Sequence, residues 1–332
     1  MSTATSIGSP EISVVICTHQ PRPEYLRRTL AALQTQTLPK AQWELLLVDN
    51  ASQPAVAKDH DVSWHPLGRQ LVEHTLGLTP ARLRGIAEAR GQWLVFVDDD
   101  NLLAADYLAN VMAIAAAEPR LAVLGAGTLR PEFEIPPPRE LNDLLPLLAL
   151  RQVKSPQRGG DPKQTDALPC GAGLCVHREI ARQFSQLIGQ VQSGVVLGRK
   201  GGELFSHEDD LFSWAAAAKG MEFGVFPELH ITHLISAGRL NQAYFLRLIY
   251  FHTFSHWILQ FLLAGETPRR IGWLRTLRLA PHALRRGIFS ARCQWQWALG
   301  EDRAARFIVE NSLSPLAKPR ENPAPPVAHQ SR

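Results

Sequence analysis

The sequence predicts an α/β fold with a mostly parallel sheet flanked by helices. Short, largely apolar runs at residues 11–18, 43–48 and 94–97 suit strands buried on both faces. Helical patterns separate them, and an order of β-α-β, loop, α-β favours right-handed crossovers in a doubly wound sheet. Two of these strands also stop at carboxylates, Asp49 after the second and Asp98, Asp99 and Asp100 after the third. That places acids at the carboxyl edge of the sheet, where open α/β folds bind ligands.

Taken in order, residues 11–18 are β-branched and apolar and end in polar Thr18, His19 and Gln20. Pro21 and Pro23 turn the chain, and Tyr25, Leu26, Leu30 and Leu33 then recur at helical spacing. Residues 53–80 read as loop, with Pro54, Pro66, Gly68 and Gly77 and a short strand near 71–73. Thr79 as N-cap, Pro80 in the first turn and Gly91 as stop predict a helix leading into the third strand. An alanine-rich helix over 107–118 and a strand over 121–124 follow. Residues 130–165, rich in Pro, Arg and Gly, are expected to form a flexible excursion of the kind that acts as a lid. Order returns at 169–176. A helix over 211–220 ends on Lys219 and Gly220, and extended segments at 223–226 and 228–233 close the pattern.

Three adjacent carboxylates repel one another, so one must take up a proton unless a cation sits among them. Hard oxygen donors of this kind suit Mg²⁺ or Mn²⁺, usually shared with substrate phosphates. A solvated acidic turn is the competing reading, but it explains two acid-terminated strands less well than one. Glu208, Asp209 and Asp210 form a second acidic cluster, which the dipole of the following helix explains about as well as chemistry does. If residues 230–233 are extended, His230 and His233 point to opposite faces, so only one of them can face a cation.

Together these segments resemble the family-2 glycosyltransferases, nucleotide-sugar-dependent enzymes of the GT-A fold. The likeness runs from about Ile12 to His233. The resemblance implies that Thr18 ends the strand that meets the nucleotide, and that Asp49 contacts the base. It implies that Arg82, in Leu78-Thr-Pro-Ala-Arg82, lies near base and phosphates. Asp98, Asp99 and Asp100 match the Asp-x-Asp motif, whose first acid sits near the ribose and whose last binds the metal. Gly171, Ala172 and Gly173 resemble the acceptor-side glycine segment. Glu208 and Asp209 resemble the pair that supplies the catalytic base, with His207 where the family more usually has glycine. His233 resembles the histidine that reaches the metal or diphosphate. The implied activity is inverting transfer of a sugar, assisted by Mn²⁺ or Mg²⁺, to a glycan, lipid-linked or small-molecule acceptor. Asp209 is the expected base, with Glu208 and Asp210 as its rivals.

Rival activities fit less well. A sugar nucleotidyltransferase wants a glycine-rich basic loop after the first strand, where Thr18-His19-Gln20-Pro21 stands. A haloacid-dehalogenase-type phosphatase wants Thr or Val soon after its Asp-x-Asp, where Asn101-Leu102-Leu103 stands. A catalytically silent relative that binds glycans or scaffolds a complex is the non-enzyme alternative.

At 332 residues, with 45% hydrophobic and 20% charged residues, the chain has an ordinary globular composition. The expected organisation is a leader over 1–10, a catalytic domain over 11–236, a helical region over 237–313 and a disordered tail over 314–332. Residues 1–10 lack the marks of a signal peptide, so a cytoplasmic cleft is expected. Cys17, Cys170, Cys175 and Cys293 have no zinc-like spacing and read as buried thiols. The net charge of +4 is unevenly spread: residues 265–292 hold seven arginines against one acid, a local +6. With the apolar stretch before it, this makes 245–292 a candidate for an anionic membrane surface on the inner face. His252, His256 and Gln260, at i, i+4 and i+8, give that stretch one polar stripe and favour a packed or interfacial helix over a spanning one. Nucleic acid is not expected, since no recognition module accompanies the charge.

Overall fold

The computed structural model describes residues 9–191, 195, 197–270 and 287–316. Most of the leader and the tail, together with Arg275, Arg278, Arg285, Arg286 and Trp273 of the basic segment, lies outside the described residues.

Among the described residues, ten strands form one sheet. Its first half is parallel: β1 (Ile12–Thr18) lies between β2 (Trp43–Asn50) and β4 (Trp93–Val97), and β3 (Gly68–Glu73) adds to β2. Alternate residues of β1 serve opposite cores. Val15 packs with Leu46, Val48 and Phe96 on one face, and Val14 and Ile16 pack with Leu26, Leu45 and Leu47 on the other. Helix α1 (Pro23–Gln34) closes the second face and α2 (Leu78–Glu88) the first. The order β3-β2-β1-β4 reverses direction at β1, so a crevice opens at the carboxyl ends of β1 and β4.

The second half of the sheet is mixed. The short β9 (Cys175–His177) runs antiparallel between β4 and β6 (Leu121–Phe133), and β10 (Glu222–Ile235) lies parallel to β6. Directly after the Asp triplet, β5 (Asn101–Leu103) pairs antiparallel with β10, setting Asn101 opposite His233. Helix α3 (Tyr107–Ala117) follows β5, while α4 (Arg178–Gln190) and α5 (Asp210–Ala218) pack together through stacked Phe184 and Phe212, whose centroids are 4.0 Å apart.

Three segments differ in detail from the sequence reading. Helix α2 is capped by Gly77, at φ 142°, rather than by Thr79, whose hydroxyl is engaged elsewhere. The stretch 130–165 is no free excursion: β6 runs on to Phe133, a 3₁₀ helix spans Arg139–Leu148, and β7 (Arg151–Gln152) and β8 (Gln157–Gly159) pair with the sheet. The apolar C-terminal stretch forms α6 (Gln242–Ala264), packed along α7 (Ile288–Glu310). Phe254, Ile258, Leu259 and Leu262 of α6 join the main core, and Phe245 and Leu248 bury against the 3₁₀ helix. The polar stripe His252, His256 and Gln260 lines the crevice. Among the described residues no helix is long and apolar enough to cross a membrane.

Candidate active site

The crevice is a cleft of about 680 Å³, within the range of small-molecule sites. Its floor is the carboxyl edge of β1 and β4, and its walls come from α2, the 139–171 segment, the start of α5, the end of β10 and α6. Thr18, Arg82, Asp98, Asp99, Asp100, Gly171, Ala172, Glu208, Asp209 and His233 all line it.

The triplet resolves its own repulsion. Thr18 donates its hydroxyl to Asp99, yet burial and the neighbouring Asp100 push the Asp99 carboxyl up to about 7. Burial would raise Asp100 too, but His233 and Arg239 overcome it and hold that carboxyl well below the usual range. Arg239 lies 2.9 Å from Asp100 Oδ2. One acid therefore tends to keep its proton and another has a cation.

His233 donates Nδ1–H to the Leu148 carbonyl at 3.1 Å, which turns Nε2 towards Asp100. Nε2 and Asp100 Oδ2 are 3.6 Å apart, a spacing that two ligands of one small cation can take. The Arg239 guanidinium, 3.2 Å from Nε2, fills that gap. Among the described residues no three His, Cys, Asp or Glu side chains gather into a self-sufficient metal centre. An oxygen and an imidazole nitrogen beside a cation-filled gap are nevertheless donors that fit Mn²⁺ or Mg²⁺. His230, three residues earlier, is exposed on the opposite side, as an extended segment requires.

On the facing wall, Arg82 is 4% exposed and lies 3.5 Å from Glu208, over the ring of Phe96. Glu208 is 2% exposed and also accepts from the Thr79 hydroxyl at 2.7 Å. Burial raises its carboxyl above the ordinary range. Asp209 accepts the Gly171 N–H at 2.6 Å. Burial and the charge of Asp210 raise its carboxyl too, partly opposed by Arg82 and His207. A Cβ on Gly171 would stand 2.8 Å from Arg82 Nη2, so this glycine leaves room for the guanidinium. Asp210 also lines the cleft and takes His207 Nδ1 at 2.7 Å.

Two expected residues lie outside the cleft wall. Asp49 is 7% exposed, and its oxygens accept the backbone N–H groups of Ser52 and Val56 at 3.0 and 2.9 Å. It organises its own turn, while Asn50 and His19 line the cleft beside it. Gly173, at φ 68°, would clash with Ile231 and Tyr107 if it carried a side chain, so its task is packing. Sequence reasoning missed Arg239, Arg199, Asn50 and His19. His19 and Asn50 stand directly after Thr18 and Asp49, so their motifs could have flagged them, whereas Arg199 and Arg239 belong to no local motif.

Residues 13–176 match the family model described as glycosyl transferase family 2. Glycosyltransferase AglE of Haloferax volcanii is 32% identical over 94 residues, 27% of this chain and 31% of that protein. Putative glycosyltransferase EpsH of Bacillus subtilis is 25% identical over 118 residues, 35% of this chain and 33% of that protein. The matched segments thus span about a third of the length of these relatives. The crystal structure of GalNAc-T7 with UDP, GalNAc and Mn²⁺ superposes with a TM-score of 0.53 at 16% identity, over 93% of this chain and 55% of that one. That likeness shows a shared GT-A fold. From β1 through the Asp triplet to β9, residues 13–176 thus form a segment of the glycosyl transferase family 2 type.

Proposed function

We propose that the chain transfers a sugar from a nucleoside-diphosphate sugar to an acceptor hydroxyl, with inversion at the anomeric carbon. The observation that carries this reading is the convergence of Asp98, Asp99 and Asp100 with Arg82 and Asp209 on one cleft at the switch point of the sheet. The family match and the nucleotide seen with GalNAc-T7 support the donor class.

Thr18, Asn50 and Asp98 receive the nucleoside, and Asp49 supports them by holding the turn after β2. Arg82 and Arg239 offer fixed donors to the diphosphate, whose negative charge grows as the bond to the sugar breaks. Asp209 accepts the proton of the acceptor hydroxyl as its oxygen attacks from the face opposite the diphosphate. General-base help of this kind contributes about 10²–10⁴-fold. A raised carboxyl value suits Asp209 to the task, and the Gly171 N–H fixes its orientation. Glu208 is committed to Arg82 and Thr79, and Asp210 to His207, so each rival base already has a partner. Mn²⁺ or Mg²⁺ held by Asp100 and His233 would supply Lewis-acid stabilisation of the leaving diphosphate. The catalytic unit in this reading is 11–236, with Arg239 and α6 of the 237–313 region closing the cleft, and the cleft faces the cytoplasm.

A panel of UDP-, GDP- and dTDP-sugars with Mn²⁺, scored for melting-point rise and slow donor hydrolysis, tests the proposal. At least one donor should do both. Binding without turnover for every sugar would favour a silent glycan-binding relative, and pyrophosphate exchange would favour a nucleotidyltransferase.

A further inference from the structure

The wall of the cleft next to Asp209 carries a cluster of imidazoles that sugar transfer as described above does not use. His207 is its centre. Its Nδ1 is held by Asp210 at 2.7 Å, and its ring meets those of His252 and His256 at centroid distances of 4.3 and 5.4 Å. Both partners come from α6, one turn apart, and Gln260 continues the same stripe into the cleft. Trp214, from α5, lines the cavity too.

Three observations set this wall apart. Ser206 and His207 line the cleft, and His207 Nε2 and Ser206 Oγ are buried behind its surface with no hydrogen-bond partner; such atoms are costly to leave unsatisfied. His207 also sits at φ 70°, a left-handed conformation that glycine takes freely and a side chain does not. A bulky residue kept in strained backbone beside a candidate base points to use of its side chain. Finally, α6 is otherwise buried on several sides, so its one polar stripe is aimed at this cavity rather than at bulk water.

The chemistry of the wall selects among ligands. Burial pushes His252 down to about 3 and lowers His256 as well, so both are neutral near pH 7; burial would lower His207 too, but its bond to Asp210 raises it, and that carboxylate offsets the charge. A neutral imidazole offers one N–H and one lone pair, and the Gln260 amide likewise donates and accepts. Hydroxyl groups satisfy both roles, whereas a phosphate or carboxylate would meet lone pairs and the nearby Glu208, Asp209 and Asp210. An indole face adds a platform for the apolar side of a sugar ring.

We propose that His207, His252, His256 and Gln260, with Trp214, form an acceptor subsite that takes an uncharged, hydroxyl-rich carbohydrate and presents one of its hydroxyls to Asp209. The inference rests on the sugar-transfer reading and deepens it by naming the acceptor class.

The test uses the full chain with Mn²⁺ and the nucleoside diphosphate that raises its melting point. Cellotetraose, chitotetraose and mannotetraose serve as neutral probes and tetragalacturonate as the anionic one, with binding followed by saturation-transfer NMR. At least one neutral probe should bind, and tetragalacturonate should bind more weakly. His252→Ala and His207→Gly should each weaken that binding tenfold or more while the nucleotide-induced melting shift persists. His207→Gly should also leave the melting point of the unliganded protein unchanged or higher, because glycine fits φ 70°. A merely structural histidine would lower it. Binding of none of the neutral probes, equal or stronger binding of tetragalacturonate, or undiminished binding by both variants would overturn the subsite. Absence of any nucleotide-induced shift in the wild type would instead remove the sugar-transfer reading, and this inference with it.

Discussion

Arg239 reaches back across the cleft to place its guanidinium 2.9 Å from Asp100, in the gap between that carboxylate and His233. The pair is held in register by the antiparallel β5–β10 pairing, in which Leu234 N–H donates to the Asp100 carbonyl at 2.8 Å. In the proposed reading a divalent ion would compete with this guanidinium for the same oxygen, and the arginine already neutralises that acid.

Replacing Arg239 by Ala should therefore destabilise the metal-free protein. Asp100 has 8% of its side chain exposed and Arg239 24%, so a loss of about 3 kcal/mol, the lower end for a broken buried pair, is expected in urea unfolding. Added Mn²⁺ should raise the melting point of the variant more than that of the wild type. An equal or smaller rise would show that the ion does not share the arginine's position.

Asp99 makes stability depend on pH. Its carboxyl is raised from 3.8 to about 7 in the fold, so between those values the folded chain keeps a proton that the unfolded chain has released. The favourable contribution is present below about pH 4 and is lost as pH rises towards 7. Asp99→Asn should thus stabilise the metal-free protein more at pH 8 than at pH 5, by about 1–2 kcal/mol. That is less than the full shift implies, because the side chain is partly open to the cleft. Denaturant melts at the two pH values measure the difference, and a gain that does not grow with pH would contradict the assignment.

Much of the frame could be read from local pattern. Runs such as residues 45–48 and 94–97 are apolar because both sheet faces are covered, and the triplet sits where the third run stops. Side-chain allegiance was less legible. Thr79 looks like a cap, but its hydroxyl serves Glu208, 129 residues away. Asp49 looks like a ligand-facing acid, yet it binds its own turn, and sequence pattern alone does not separate those two uses of an aspartate. Arg239 carries no motif and becomes part of the site only because β10 returns beside β5. The stripe on α6 was visible as a stripe, but its target depended on how the helix docks.

Glu208 and Asp209 are neighbours with different tasks, and stability should separate them. Glu208 is the nearest carboxylate to Arg82, at 3.5 Å, and both are almost fully buried. Glu208→Ala should cost about 3–5 kcal/mol, because it strands a buried guanidinium. The loss of melting temperature should exceed that of Asp209→Asn by a wide margin. Similar losses for the two variants would mean that the pair is not divided in this way.

Asp209→Asn keeps an oxygen to accept the Gly171 N–H, so the wall should hold its shape and the donor should still raise the melting point. What asparagine lacks is basicity. Transfer should fall by about 10²–10⁴-fold, as expected for loss of a general base. The pH profile gives an independent check. Burial and then the Asp210 charge raise the Asp209 carboxyl, so the acidic limb of kcat/KM should lie above the ordinary carboxylate range. Asp210→Asn removes one of those two causes and should move the limb to lower pH. An acidic limb that stays in place in Asp210→Asn, or transfer that survives in Asp209→Asn, would assign the proton to another group.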